Sequence, residues 1–169
     1  MSSRITLRKP TWRDRHEFLA AVRASRALHR GWVAPPASSV AYAAWLQRLR
    51  GPAHVGFLAI ADGAIAGVVN LNEIVRGSFQ GAYLGYYANV RLAGRGYMRE
   101  ALALALDQAF GPLRLHRLEA NIQPANHPSI ALVESLGFRR EGVSPRYLKI
   151  GGRWRDHERW ALLREEWRG

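Results

Sequence analysis

The feature that most constrains the fold is a glycine-containing loop, Ala93-Gly94-Arg95-Gly96-Tyr97-Met98, between two segments of different character. Residues 82–88 before it carry three tyrosines and predict a strand. Residues 99–110 after it are rich in Ala and Leu, contain neither Gly nor Pro, and predict a helix. Glycines at the start of a helix leave its first backbone N–H groups open to an anion, which the helix dipole favours. The loop therefore predicts a site that can hold a pyrophosphate.

Three kinds of nucleotide-binding loop can be compared with this stretch. A P-loop requires Gly-x-x-x-x-Gly-Lys-Ser/Thr, and the sequence contains no such string. A dinucleotide fingerprint requires a third glycine where Arg99 stands, and the hairpin-rich start of the chain does not suit that fold. An acyl-CoA loop requires amides for a pyrophosphate and a preceding strand edge for a pantetheine arm. The sequence fits this third interpretation best, with a purely structural turn as the alternative.

The composition restricts the classes of protein and of site. The chain has 169 residues, of which 48% are hydrophobic, enough for one domain with a core. It has no cysteine, which excludes disulfides, zinc–thiolate sites and a cysteine nucleophile. Its histidines show no metal-binding spacing, so we expect no metal. No long apolar run suggests a signal peptide or a membrane span, so we expect a cytoplasmic protein.

The charge is strongly positive, with 25 Lys and Arg against 13 Asp and Glu, a formal net charge of +12. Such a charge can serve nucleic acid, an anionic cofactor or acidic partners. The arginines are scattered and form no long basic block, so an arginine-rich composition on a solvated surface explains the charge equally well. The two interpretations stay open at the level of the sequence.

The remaining segments predict an ordered series of strands and helices. Strands are predicted at residues 5–8, 55–61, 64–74, 82–88, 117–122, 142–150 and 154–163, and helices at 12–27, 40–49, 99–110 and 129–136. Asp62-Gly63 is a two-residue hairpin signal between two of the strands. The order βααβββαβαββ predicts a single α/β domain over residues 1–169. We expect a mixed, mostly antiparallel, twisted sheet flanked by helices.

The loop and the second half of the chain resemble a known enzyme family. The loop is similar to the Gln/Arg-Gly-x-Gly-x-Gly/Ala motif of the GNAT superfamily of acetyl-CoA-dependent N-acetyltransferases, from which Ala93 and Met98 depart. Further motifs resemble its ribosomal-protein-alanine N-acetyltransferase group. These are Leu84-Gly85-Tyr86, His116-Arg117-Leu118-Glu119-Ala120-Asn121, Asn126-x-x-Ser129, Leu136-Gly137-Phe138, and residues 147–157. The similarity covers nearly the whole chain and is densest over residues 75–157.

The resemblance implies a fold and a cofactor site. Two strands are expected to splay apart near Ala88 and Asn121, with acetyl-CoA as cosubstrate on one side and the acceptor amine on the other. Acetyl transfer would be direct, through a ternary complex, with no covalent enzyme intermediate, and the absence of cysteine agrees with this. The residues expected to bind the cofactor are Ala88, Gly94, Arg95, Gly96, Tyr97, Met98, Arg99, Asn121, Asn126 and Ser129. Helix capping is the alternative role for Asn126 and Ser129.

The chemistry of acetyl transfer suggests further candidates. Ser129 suits protonation of the departing thiolate, and Tyr147 is a second hydroxyl. Glu73, near the end of a central strand, is the candidate general base, and Glu119 is the alternative. Because an α-amine has an unperturbed pKa of about 8, water could also remove the proton without a dedicated carboxylate.

The leading functional prediction is acetylation of a protein N-terminus, that of a ribosomal protein in particular, by a monomer or homodimer. A +12 chain is also expected to associate with the ribosome in a salt-sensitive manner. One alternative is acetylation of a small amine such as an amino acid, a polyamine or a drug. The other is a basic protein that binds ribosomes or RNA on the same fold without catalysis. The sequence does not specify the acceptor, because acceptor loops vary on one fold.

Overall fold

A seven-stranded sheet forms the centre of the computed structural model, which describes residues 4–169. The strands are β1 (Thr6–Arg8), β2 (Val55–Ala61), β3 (Ala64–Val75), β4 (Gly81–Ala88), β5 (Arg117–Ile122), β6 (Arg139–Ile150) and β7 (Arg153–Leu163). The helices are α1 (Arg15–Ala24), α2 (Arg26–His29), α3 (Ser39–Arg48), α4 (Tyr97–Phe110) and α5 (His127–Glu134). The expected α/β architecture is confirmed. The assignment of residues 1–169 to one domain stays a prediction, and residues 1–3 lie outside the described part.

The strand order is β1-β2-β3-β4-β5-β7-β6, and all neighbours but one are antiparallel. The exception is the parallel contact between β4 and β5, which joins only Gly81–Tyr83 to Arg117–Glu119. Beyond these three pairs the two strands separate, whereas β4 stays paired with β3 up to Ala88. The sheet is therefore mixed and mostly antiparallel, and it opens between β4 and β5.

Helices cover both faces of the sheet, and they differ in what they bury. On one face, α4 and α5 pack Leu102, Leu106 and Val133 on the strands of the main hydrophobic cluster. On the other face, Phe18 of α1 and Trp45 of α3 belong to a smaller cluster built on β2 and β3. No described residue of this smaller cluster comes from β5, β6 or β7. On this second face, the smaller cluster as described therefore does not cover β5, β6 and β7.

The first helical segment differs from its prediction over residues 12–27. The chain forms a short 3-10 turn at Trp12–Asp14, then α1, then a break at Ser25 before α2. Ser25 is fully buried, and its Oγ accepts a hydrogen bond from the Val90 N–H at 2.9 Å. This bond to the segment before α4 gives Ser25 a tertiary partner, and the element order becomes βαααβββαβαββ. A tertiary contact has overridden the local helical pattern.

An ion pair anchors the start of this segment to β1. Arg8 donates to both carboxylate oxygens of Asp14, at 2.9 and 2.6 Å, and the Thr11 N–H donates to Asp14 Oδ2 at 2.7 Å. Asp14→Asn is expected to lower the free energy of unfolding by about 1–2 kcal/mol at pH 7. The loss stays this small because Arg8 is half-exposed, so solvent screens its attraction to the carboxylate. Urea unfolding of both proteins measures the difference.

The same ion pair makes this difference depend on pH. The Arg8 bond, supported by Thr11, holds the pKa of Asp14 below its ordinary value of 3.8. The stabilisation is therefore complete above that value and is lost as the pH falls through the lower folded-state pKa. The difference in free energy of unfolding between the parent and Asp14→Asn should become smaller as the pH is lowered. The control, Glu134→Gln at an exposed position, should differ little from the parent at every pH. A gap that keeps its size at acid pH contradicts this role for the Asp14 carboxylate.

Candidate active site

The glycine loop forms the entrance to α4. Gly94 and Gly96 have φ values of +76° and +80°, a backbone conformation that favours glycine, and α4 begins at Tyr97. No described side chain caps the N-terminus of this helix. A Cβ built on Gly94 would have nothing within 4 Å, so the space in front of the loop is open. The uncapped N–H groups and the open space fit a pyrophosphate.

The loop residues that carry side chains are held by neighbouring segments. Arg4 donates to the Arg95 carbonyl at 3.2 Å and forms an ion pair with Glu100 in the first turn of α4. Arg99 donates to the Ser135 carbonyl at 3.2 Å and thereby links α4 to the end of α5. The guanidinium of Arg99, which was predicted to bind the cofactor, thus also has a structural role through its bond to the Ser135 carbonyl.

Met98, which departs from the small residue of the family motif, is accommodated by a glycine on β3. A Cβ built on Gly67 would collide with the Met98 sulfur and would lie 2.8 Å from the Tyr87 carbonyl oxygen. Met98 also lines the larger of the two cavities described next. The Met98 side chain therefore does not block the loop, because it occupies the space left by the missing side chain of Gly67 on β3.

Two adjoining cavities lie where β4 and β5 separate. The smaller, of about 140 Å³, is lined by residues of both strands, including Gly85, Tyr86 and Asn121, and by Ser129 and His157. The larger, of about 310 Å³, lies towards α4. Both are lined by Trp32, Val33, Tyr86, Asn126 and Ser129. The cavities thus bring together five of the predicted cofactor-binding residues, Ala88, Met98, Asn121, Asn126 and Ser129.

A pair of hydroxyl groups lies at the junction of the two cavities. Tyr86 Oη and Ser129 Oγ are 2.6 Å apart, and either oxygen can be the donor. Burial raises the pKa of Tyr86 to about 12, so its phenol is protonated at neutral pH. Asn126 Oδ1 accepts a hydrogen bond of 3.4 Å from the Ser129 N–H and caps α5, so the capping role is present as well. The pair can donate a proton to an atom placed beside it.

Tyr86 was not predicted as a functional residue. It belongs to the quoted motif Leu84-Gly85-Tyr86, and strand alternation places it on the same face as the buried Ala82 and Leu84. That alternation points its ring towards α4 and α5. The signal was therefore present, but it indicated a core residue and not a hydroxyl beside Ser129.

His29 was also missed, and it contacts the predicted strand edge. The Asn89 N–H bonds to Ala66 on β3, so the preceding carbonyl, that of Ala88, points away from β3. His29 Nε2 lies 2.7 Å from the Ala88 oxygen and must donate, since a carbonyl can only accept. The opposite ring nitrogen, Nδ1, is buried and has no hydrogen-bond partner among residues 4–169. The α2 helix thus fixes one backbone group at the end of the β4 edge.

The other predicted catalytic residues lie apart from these cavities. Glu73 has a φ of +51° at an irregularity of β3, and its side chain is 66% exposed. Its Oε1 lies 3.9 Å from Nε2 of His54. Glu119 accepts a hydrogen bond of 2.8 Å from Arg117. The Tyr147 hydroxyl interacts with Tyr83, and this bond raises the pKa of Tyr83. Glu73, Glu119 and Tyr147 are therefore absent from the linings of both cavities.

Within residues 4–169, no group of three or more His, Asp or Glu side chains is placed to hold a metal ion. None of the helices found there is long and apolar enough to cross a membrane.

Comparison with known proteins gives related sequences of several activities. The probable N-acetyltransferase YjcK of Bacillus subtilis is 40% identical over 110 residues, 65% of this chain and 61% of that protein. The ribosomal protein uS5-alanine N-acetyltransferase of Escherichia coli is 43% identical over 103 residues, 61% and 53% of the two chains. The E. coli spermidine N(1)-acetyltransferase is 29% identical over 115 residues, 66% and 59%. Each match thus spans less than two thirds of the relative's length.

A solved structure extends the comparison over nearly the whole chain, and a family match covers most of it. RimJ of Mycobacterium smegmatis in complex with CoA-disulfide superposes with a TM-score of 0.89 at 29% identity, over 96% of this chain and 83% of that one. The acetyltransferase (GNAT) domain family matches residues 4–139. Because this match extends over most of the chain and includes the glycine loop and both splayed strands, the chain belongs to the GNAT acetyltransferase family.

Proposed function

We propose that this protein transfers an acetyl group from acetyl-CoA to the N-terminal α-amine of a protein, with a ribosomal protein as the expected acceptor. The family membership supports the reaction type, and the uS5-alanine N-acetyltransferase relative supports the acceptor. The cosubstrate supplies an acetyl thioester.

The open mouth of α4 would hold the pyrophosphate through its N–H groups, and the larger cavity would take the pantetheine arm beside Ala88 and Asn126. Tyr86 and Ser129 would then lie beside the thioester. Their hydroxyl pair can pass a proton to the departing sulfur, because the two oxygens are 2.6 Å apart and a tyrosine phenol carries its proton at neutral pH. This arrangement supports direct transfer without a covalent enzyme intermediate.

The observation that carries the acceptor class is a groove of about 850 Å³ beside the cavities. It is lined by Arg23, Arg26 and Arg30, and it shares Val33 with both cavities and His29 with the larger one. None of these three arginines forms an ion pair with a described residue. Three free cations in one groove repel a polyamine and attract a polypeptide that carries acidic side chains. The groove therefore favours a peptide acceptor over spermidine.

The test uses peptides that begin with ribosomal-protein N-termini, beside polyamines, amino acids and aminoglycosides. Turnover is expected for peptides with a free α-amine, and it should disappear when that amine is blocked and only an internal lysine is free. Strong turnover of a small amine with none on any peptide rejects the proposal in favour of a small-amine acetyltransferase. Ribosome binding without turnover of any acceptor rejects it in favour of a non-catalytic ribosome-binding protein.

A charge-removal variant tests the groove itself. The triple substitution Arg23→Gln, Arg26→Gln and Arg30→Gln is expected to raise KM for an acidic peptide about tenfold with kcat unchanged, because it removes binding that ground state and transition state share. The effect should shrink as salt is added. The matched control removes three exposed arginines elsewhere, at 114, 164 and 168. Equal effects of the two triple variants would show that only the net charge matters and not the groove.

The cellular acceptor requires a separate measurement. Mass spectrometry of protein N-termini, with and without the gene, is expected to show a ribosomal-protein N-terminus that loses its acetyl group. A salt-sensitive association with ribosomes is expected from the net charge of +12, but any basic protein would show it. A complete set of unchanged ribosomal-protein N-termini contradicts the ribosomal acceptor.

A further inference from the structure

His157 is a buried titratable residue that the mechanism above does not use. It lies on β7, is 3% exposed, and lines the smaller cavity together with Asn121 and Ser129. The lining of this cavity, as described, includes no Asp or Glu. A group that removes a proton from an acceptor amine must reach that amine, and among the residues that line the cavity only the imidazole of His157 has a ring nitrogen whose lone pair can accept a proton.

A hydrogen bond fixes the tautomer of His157. Its Nδ1 lies 2.9 Å from the carbonyl oxygen of Arg155. Since a carbonyl oxygen can only accept, Nδ1 carries the hydrogen and donates it. In the neutral ring, Nε2 is then the nitrogen with the free lone pair. Nε2 has no hydrogen-bond partner within the described part of the chain.

The position of His157 relative to the sheet distinguishes it from Ser129. Along β7, Trp160 and Leu162 pack into the cluster under α4 and α5, so the alternate positions 157, 159 and 161 face the opposite side. Asn121 pairs with Arg159 across β5 and β7 and shares that side. Ser129 comes from α5, on the first side. His157 and Ser129 therefore line one cavity from opposite faces of the sheet.

Asn121 adds a second polar atom on the side of His157. Its Oδ1 is buried and has no hydrogen-bond partner within residues 4–169. A buried acceptor of this kind is costly unless a donor reaches it. An amine that enters the cavity from this face carries such donors. It can give one N–H to Asn121 and present another to the imidazole.

We propose that His157 Nε2 accepts the proton that the acceptor amine loses during acetyl transfer, and that Asn121 orients the amine. The inference rests on the proposed function. As the new C–N bond forms, the amine N–H proton passes to Nε2. The C–S bond breaks, and the sulfur takes its proton from the Tyr86–Ser129 pair. The proton count balances, because His157 gains one proton and the hydroxyl pair loses one. After product release, His157 gives its proton to solvent and the hydroxyl pair regains one from solvent.

Several ionisable groups surround the imidazole and would share in any dependence on pH. The Tyr147 ring of β6 is 6.4 Å from the ring of His157, centroid to centroid. The other ionisable groups on the neighbouring elements are Tyr86 of β4, Glu119 of β5, and Arg155 and Arg159 of β7 itself. Of these, Glu119 is the competing base, and it is paired with Arg117. The experiment therefore compares His157 with Glu119 and Glu73.

The principal variant is His157→Asn, because an asparagine amide can keep the bond to the Arg155 carbonyl but cannot accept a proton. We expect kcat/KM for an α-amine peptide to fall about 10²-fold at pH 7, with the acid limb of its pH profile removed. Affinity for acetyl-CoA, measured by calorimetry, should be unchanged. In His157→Ala, added imidazole should restore part of the activity. The control His116→Asn removes an exposed histidine paired with Glu165 and should match the parent.

The outcomes separate this inference from the proposed function. A parent-like pH profile in His157→Asn, or loss of the acid limb in Glu119→Gln or Glu73→Gln instead, overturns the role of His157 while the enzyme remains an N-terminal acetyltransferase. Equal loss of activity at every pH without imidazole rescue also overturns it, since it shows a structural role. A parent protein that acetylates no α-amine peptide overturns the proposed function itself.

Discussion

Replacing Gly96 by valine is expected to weaken the binding of CoA and acetyl-CoA at least about 100-fold in a protein that remains folded. Gly96 has a φ of +80°, and a β-branched residue in that conformation costs about 1–3 kcal/mol. Relief of this strain would turn the peptide planes that point the first N–H groups of α4 outwards. The added side chain would also lie 3.4 Å from the Arg4 guanidinium, beside the approach of a phosphate.

Calorimetry with CoA measures this loss, and circular dichroism reports whether the fold is intact. The matched control is Gly77→Val, because Gly77 has a φ of +69° in the turn before β4 and its Cβ would meet nothing within 4 Å. It carries similar backbone strain away from the helix entrance, so CoA affinity should be unchanged. Parent-like affinity in a folded Gly96→Val protein would mean that the pyrophosphate binds elsewhere.

Replacing Ser129 by alanine is expected to lower kcat about 10²-fold if proton donation to the sulfur limits the rate. Tyr86→Phe should have an effect of similar kind, because the two hydroxyls are 2.6 Å apart and act on one proton. The double variant should be little slower than the slower single variant, since residues that act as a unit are not additive. Steady-state kinetics of the four proteins gives this double-mutant cycle.

Stability measurements complete the Ser129 test, because Ser129 lies in the first turn of α5. The Ser129→Ala protein should unfold close to the parent temperature, since Asn126 and not Ser129 supplies the capping oxygen of that helix. Additive effects on kcat would show two independent roles for Tyr86 and Ser129. Full activity in Ser129→Ala would leave this residue as a passive contact in the wall of the cavity.

The sequence was sufficient for features that depend on neighbours along the chain. The glycine loop, the Ala/Leu-rich helix after it and the Asp62-Gly63 hairpin each follow from local backbone preferences, and the structure has all three. The strand order also agrees with the expected mixed sheet. The start of α2 could not be predicted, because the break at Ser25 depends on a hydrogen bond to Val90, 65 positions away.

The candidate site was harder to predict because its groups converge from distant segments. Alternation indicated that Tyr86 is buried, but the bond to Ser129 joins residues 43 positions apart. The spacing of the histidines does not single out His157, and only the register between β5 and β7 places it on the side of Asn121. Glu73 was chosen for its place near a strand end, but the backbone irregularity there leaves it mostly exposed. Chain-local patterns contain no information on these pairings.

The three-residue contact between β4 and β5 divides the sheet into a four-stranded and a three-stranded part. Few backbone hydrogen bonds cross that seam, and the core that α4 and α5 share with strands of both parts joins them through side-chain packing. A ligand that fills the opening would connect the two parts as an additional strand does, because it would contact both of them. Occupancy and cohesion of the two parts are then thermodynamically linked. Amide hydrogens facing the seam should exchange with solvent sooner than those on the β3 side, and a seam-bridging ligand should slow them.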